Sequence, residues 1–416
     1  MLKNTLKTAL AVLRRKPFFT GVSLFAICFT LTVLMTATTL LENMSRPGLP
    51  IARQETLATL EYAQMWGPEN DWTGNPGYRL LDTVLRDLPG VELASIHSDA
   101  SPRLYWHEGE KHALDLKFTD AAFWRVFSFT ILEGRLYDEA EVQAAEPLAV
   151  ITRSTRDLLY PQGALDQSLR IGDRDFRVIG VVEDVPIYNK HPRSDVWVPL
   201  GNQASAAWRD NWMGSMLAAV RLTDSRALPQ VRAELARRCA EIDPDDGPGF
   251  DHISASLDSS PMDALARELL APGTRGDTNS YLGRLAALII GAALLFMSLP
   301  ALNLVNLNLS RMLERASEIG VRRAFGATAG SLILQLLIEN LLIVSAGGVL
   351  ALGCTQLILD GIARSGLLQN ASFHLNLRVF GLALVLVVVF SVLSGILPAW
   401  RTARLHPVHA LKGNQR

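Results

Sequence analysis

The chain has 416 residues, is 49% hydrophobic, and balances 40 Lys and Arg against 41 Asp and Glu, for a net charge of −1. That near-neutral balance points to no class of partner, and no nucleic-acid partner is expected. Of the three cysteines, Cys28 and Cys354 lie in long apolar runs, so Cys239 alone remains between them and no disulfide can form within the soluble region.

Residues 1–17 place Leu2, Leu6, Leu10 and Leu13 among Lys3, Lys7 and Arg14. Apolar residues three to four apart suit an amphipathic helix on a membrane surface. It reads as an anchor to anionic lipid or as an added contact to a cytosolic partner. Four apolar runs follow: Phe18 to Leu41, Leu285 to Leu309, Leu332 to Leu359, and Val379 to Leu397. Each supplies the roughly 20 residues that a spanning helix needs. The first exceeds the roughly 7 to 15 residues of a signal-peptide core, so an uncleaved anchor is expected.

Basic residues set the orientation. Lys3, Lys7, Arg14, Arg15 and Lys16 precede the first run; Arg311, Arg315, Arg322 and Arg323 separate the second and third; Arg401, Arg404, Lys412 and Arg416 follow the fourth. Basic loops stay in the cytoplasm, so both termini are expected there and the large soluble region outside. The expected order is a cytoplasmic amphipathic helix (1–17), a first span (18–41), an external domain (42–280), a second span (281–310), a cytoplasmic segment (311–330), a third span (331–359), a short external loop (360–377), a fourth span (378–397) and a cytoplasmic tail (398–416).

Within the external domain, Glu55 to Tyr62 reads as a strand, Tyr78 to Leu88 as a helix stopped by Pro89 and Gly90, and Val91 to His97 as a strand. A similar trio recurs at Ser215 to Leu222, Ser225 to Ala240, and His252 to Leu257. The two units together, about 51–97 and 214–257, suggest one α/β lobe. The part between them, about 98–200, reads as an inserted lobe of strands: Leu104 to Trp106, Ala113 to Phe118, Leu148 to Thr152, Phe176 to Val182, and Val196 to Leu200. The aromatic cluster from Phe123 to Phe129 is expected in the core, with a binding surface as the alternative. Cys239 is expected to act as a small buried hydrophobe on a helix. Residues 258–284 read as a return linker or an extension of the second span.

The sequence has no phosphate-binding GxxxxGK[ST] loop, no HExxH, no CxxC and no EF-hand pattern. His406 and His409 flank Pro407 with no carboxylate nearby and make a poor metal site. A chain without nucleotide-binding chemistry must receive any driving energy from another subunit.

Polar residues in and beside the spans are the remaining candidates. Asn303 and Asn306 share a helix face at the end of the second span; they read either as a contact between helices or as part of the cytosolic interface. Pro300 removes a helix hydrogen bond and is expected to kink that span. Glu339, in the third span, is a functional candidate because carboxylates in a membrane are costly. It reads as paired for structure, with Arg322, Arg323 or another subunit as partner, or as a proton-transfer group. Gly347, Gly348 and Gly353 could admit a close helix neighbour.

The densest pattern is Glu318, Ile319, Gly320, Val321, Arg322, Arg323, Ala324, Phe325, Gly326 and Ala327. Glu318 and Arg322 are placed for an i,i+4 pair, and Gly326 suits a helix C-cap. This stretch, followed by Glu339, resembles the signature of MacB/FtsX-type ABC transporter permeases. Leu397 to Leu411, Phe123 to Arg135, and Phe176 to Val182 are similar to further stretches of that family. The resemblance covers essentially the whole chain.

That resemblance implies a membrane α-helical fold with four transmembrane helices and a large extracytoplasmic α+β domain, made of a porter-like lobe and an inserted β-rich lobe. Residues 318–327 would be the coupling helix that docks on an ATP-binding subunit. MacB carries a fused ATPase before its first span; only 17 residues stand there in this chain, so a separate ATPase that uses ATP and Mg is expected, with no cofactor bound directly. The further expectations are a non-catalytic permease in the bacterial inner membrane, paired with a second copy or a paralogue. Membrane lipids, a periplasmic adaptor and an outer-membrane channel would be further partners. Its work would be extrusion of periplasmic or outer-leaflet cargo; an FtsX-like regulator of an extracytoplasmic enzyme and a lipoprotein-releasing permease are the alternatives.

Overall fold

A computed structural model describes residues 17–45, 50–298 and 329–365, with short interruptions, and single helical positions between 378 and 392. The chain divides into two compact units, one built on residues 43–285 and one on the apolar helices before and after it. Helix α1 (Pro17–Ser45) opens the chain's described part.

The soluble unit begins with a 3-10 turn at Gln54–Thr56, then β1 (Leu57–Trp66), β2 (Asp71–Gly74), α2 (Tyr78–Leu85) and β3 (Val91–Ser98). Next come β4 (Ser101–His107), β5 (Glu110–Thr119), α3 (Ala122–Val126), β6 (Ile131–Gly134), α4 (Glu139–Gln143), β7 (Leu148–Thr152), α5 (Arg153–Leu159), β8 (Ser168–Ile171), β9 (Arg174–Val182) and β10 (Val196–Pro199). It closes with β11 (Met216–Leu222), α6 (Leu228–Ala240), β12 (His252–Asp258) and α7 (Pro261–Leu270). Among the expected bounds that shift are two early in the unit. The strand expected from Glu55 starts at Leu57 and runs on to Trp66. The helix expected to reach Leu88 stops at Leu85, because Arg86 is extended and Asp87 takes a positive φ of 50°. The stretch read as a return linker carries α7, whose N-cap Ser260 accepts from the Asp263 amide.

The strands at the two ends of this unit interleave in the order β12–β1–β11–β3, each antiparallel to its neighbour. Interleaving of two strand–helix–strand units is the split βαβ pattern. Helices α2 and α6 cover one face: Leu80, Leu81, Val84, Val231, Leu235 and Cys239 pack on Leu60, Ala218, Val220 and Leu257. A bulge in β1 maintains that face. Thr59 pairs with Asp258 and Tyr62 with Ser256, so β1 holds one residue more than β12 between these pairs. The extra residue reverses side-chain parity. Ala58 and Leu60 before it, and Ala63 and Met65 after it, therefore all enter the same core.

The sheet continues through β5, β10, β7, β9 and β6. Its parallel pairs, β5 with β10 and β7 with β9, bury both faces. Alternation along β7 sends Ala149 and Ile151 to one core and Leu148 and Val150 to another. The second of these takes Phe123, Trp124, Phe127 and Trp197, so the aromatic cluster is core and not an exposed surface. Gly134 joins β6 to β9 at a φ of +69°, where a Cβ would stand 2.1 Å from the Ile179 carbonyl oxygen; only glycine fits there.

Two helices among the described residues are long and apolar enough to cross a membrane: Thr20–Glu42 within α1, and Leu337–Arg364 within α9 (Ala329–Arg364). A shorter apolar helix, α8 (Leu282–Phe296), occupies part of the expected second span. Helix α9 runs on to Arg364, so the first residues of the expected 360–377 loop are helical. The expected N-terminal amphipathic helix, the second half of the second span, most of the fourth span and the tail lie outside the described residues.

Candidate functional site

In the apolar unit, α1 and α9 meet along a seam of Ile27, Leu31, Ile343, Val344 and Ala351. Gly347 permits the approach: a Cβ there would lie 2.8 Å from Ile27 Cγ2 and 3.1 Å from Ile27 Cβ. Gly348 faces Leu384 and Phe380, whereas none of the described residues lies within 4 Å of the Gly353 position. Gly347 and Gly348 thus admit a close neighbour as expected. Farther along the seam, the sulfurs of Cys28 and Cys354 are 4.0 Å apart.

Glu339 is in α9 with 1% exposure, next to the equally buried Asn340. Its expected partners Arg322 and Arg323 lie outside the described residues, as do Asn303, Asn306, Pro300 and all of 318–327.

A second polar centre, in the soluble unit, was not expected from the sequence. Glu61, in the β1 bulge, accepts from Lys190 Nζ at 2.8 Å and contacts His191 Nε2 at 2.7 Å. Burial opposes its charge, but His191 and Lys190 outweigh burial and hold Glu61 well below the usual carboxylate range. His191 Nδ1 lies 3.2 Å from Nε2 of the fully buried His97. Burial, and then the Lys117 charge, hold His97 far below its usual range, so it is neutral. The order that satisfies this chain is His97 Nε2–H to His191 Nδ1, then His191 Nε2–H to Glu61. It leaves a lone pair, and not an N–H, at His97 Nδ1, which has no hydrogen-bond partner among the described residues.

Lys117 closes the centre from β5. It is fully buried and donates to the carbonyl oxygens of Lys190 at 2.9 Å and His191 at 2.5 Å. Burial pushes its pKa down to about 7. Beside these groups is a cleft lined by Ile51, Leu57, Thr59, Glu61, His191 and Asp258 among others. No group of three or more His, Cys, Asp or Glu among the described residues could hold a metal ion.

The profile of the MacB-like periplasmic core domain matches residues 20–238, more than half of the chain. The chain belongs to this family. The FtsX-like permease C-terminal profile matches residues 290–407, which makes it a MacB/FtsX-type ABC transporter permease.

The macrolide export ATP-binding/permease protein MacB 2 of Aeromonas hydrophila is 27% identical over 83% of this permease and 51% of the relative. MacB of Escherichia coli K12 is 25% identical over 70% of this permease and 42% of the relative. The permease thus spans about half the length of the curated relatives it matches. The crystal structure of the periplasmic region of MacB from Actinobacillus actinomycetemcomitans is similar over 44% of this permease and 83% of that chain, at 15% identity and a TM-score of 0.34.

Proposed function

We propose that this chain is the permease subunit of an ATP-driven export complex in a bacterial inner membrane, with four spans and both termini in the cytoplasm. A separate ATPase subunit binds ATP and Mg, and a second permease copy or paralogue completes the pair. Residues 318–327 receive the ATPase's motion, and the extracytoplasmic domain applies it to periplasmic or outer-leaflet cargo, with an adaptor and an outer-membrane channel as further partners. Two family profiles in tandem, together covering most of the chain, support membership of such a complex.

One observation carries the mechanical part of the reading. The strand that follows α1 in the chain, β1, and the strand that precedes α8, β12, are hydrogen-bonded neighbours. Displacement of these two helices is therefore delivered to one antiparallel pair rather than to distant parts of the sheet. The test is Arg322→Glu with Arg323→Glu, assayed in vesicles with the ATPase. Membrane insertion should be unchanged, while ATP hydrolysis no longer drives export. Normal export by the double variant would refute the assignment of 318–327. An intact complex that hydrolyses ATP but moves no cargo would favour the regulator of an extracytoplasmic enzyme.

A further inference from the structure

Three cysteines occur in 416 residues, and two of them meet. Cys28 of α1 and Cys354 of α9, 326 positions apart, bring their sulfurs within 4.0 Å of each other. The third, Cys239, is buried on α6 in the soluble unit. The meeting point is held from both helices. Ile27, Leu31, Val344 and Ala351 pack beside Cys28. A Cβ at Gly347 would stand 3.7 Å from the Cys28 amide nitrogen, so the backbones run close here. Thr32, one turn beyond Cys28, sets its Oγ1 3.5 Å from the Ala351 carbonyl oxygen. The sulfurs are reachable from one side: Cys354 is exposed, and none of the described residues lies within 4 Å of a Cβ at Gly353.

Softness and ligand number decide what two converging thiols can take. Thiolate sulfur selects soft cations such as copper(I). A structural zinc asks for four ligands, and no group of three or more His, Cys, Asp or Glu among the described residues supplies them. A soft monovalent d10 cation is satisfied by two sulfurs in line. With metal–sulfur bonds of about 2.3 Å, a straight S–metal–S unit spans about 4.6 Å, so the sulfurs need part by only about 0.6 Å from their 4.0 Å. The cation replaces one thiol proton, which is released, and leaves a thiolate–metal–thiol unit without net charge. A neutral unit avoids the cost of a charge in an apolar seam. We propose that Cys28 and Cys354 form a two-coordinate site for a soft monovalent cation, copper(I), that ties α1 to α9. The inference does not rest on the export reading; it needs neither an ATPase nor a cargo.

The test uses the full chain in detergent micelles, reduced and under argon, titrated with copper(I) held by the chromogenic chelator bicinchoninate. The wild type should withdraw one copper(I) per chain, and X-ray absorption should show two sulfur neighbours with no nitrogen or oxygen. Cys28→Ser and Cys354→Ser should each lose that copper, and Cys239→Ser should keep it. Failure of the wild type to withdraw copper would overturn the proposal. So would nitrogen or oxygen neighbours in the absorption spectrum, which mark an adventitious ion only. Full retention of the copper by either of the first two variants would overturn it as well. The wild-type spectrum decides the matter even where a variant does not fold.

Discussion

Asp258, the last residue of β12, and Arg267, in α7, pair at 2.9 Å with only 1% and 5% of their side chains exposed. Burial raises Asp258 from 3.8 to about 6, against the pull of Arg267. With its folded pKa above its unfolded one, the folded state holds the extra proton, so stability falls as pH rises from about 4 to about 6 and levels off above that. Arg267→Met leaves a buried carboxylate without this partner and should cost about 3–5 kcal/mol. Thermal melts should show the loss at pH 7.5 and a partial recovery at pH 5. A melting temperature of the variant that ignores pH would contradict this account.

Lys117→Met tests the polar centre. The Lys117 pKa is depressed from 10.5 to about 7, chiefly by burial. Between those values the unfolded chain holds a proton that the folded one has released, so stability rises with pH across the window, by about 1.4 kcal/mol per unit for one proton. Melts at pH 7 and pH 9 should show that rise in the wild type and its absence in Lys117→Met. An unchanged pH slope in the variant would place the titration elsewhere.

Gly347→Leu tests the seam between α1 and α9. The new side chain would meet Ile27, with a Cβ contact of 2.8 Å, and Ile27 is held by its own branched Cβ. Overpacking of this kind costs about 1–3 kcal/mol. Cys28 and Cys354, with sulfurs 4.0 Å apart, supply a reporter. Mild oxidation should link them within one wild-type chain, and Gly347→Leu should reduce the yield. Gly353→Ala, with none of the described residues within 4 Å, should leave it unchanged. Equal yields in all three proteins would show that Gly347 does not govern this contact.

Much of the soluble unit was legible because its strands and helices state their faces locally. The apolar run Leu148 to Thr152 is β7, and the helical pattern ending at Ala240 is α6, with Cys239 buried on it as expected. Where the chain turns on backbone geometry, the reading slipped: nothing in Arg86 or Asp87 announces that α2 ends before them. The polar centre was illegible for another reason. Leu114, Leu116 and Phe118 alternate with Asp115 and Lys117, which reads as a solvated polar face. That face is instead covered by Lys190 and His191, more than 70 positions later. Glu61 was hidden likewise, since the bulge that aims it exists only through the pairing with β12. Of Glu339, Asn303 and Asn306, Glu339 alone lies among the described residues, where it is buried in α9.

On the proposed reading, the adjacency of β1 and β12 would also decide how this domain bears load. The strands are antiparallel, and Thr59, near the start of β1, sits opposite Asp258, the end of β12. Both attachments therefore enter at one end of the same ladder. A force that carries the two attached helices together moves the pair as a rigid bar. A force that parts them acts as on a zipper, rung by rung from the Thr59 end, and the bulge before Tyr62 is the first discontinuity it meets.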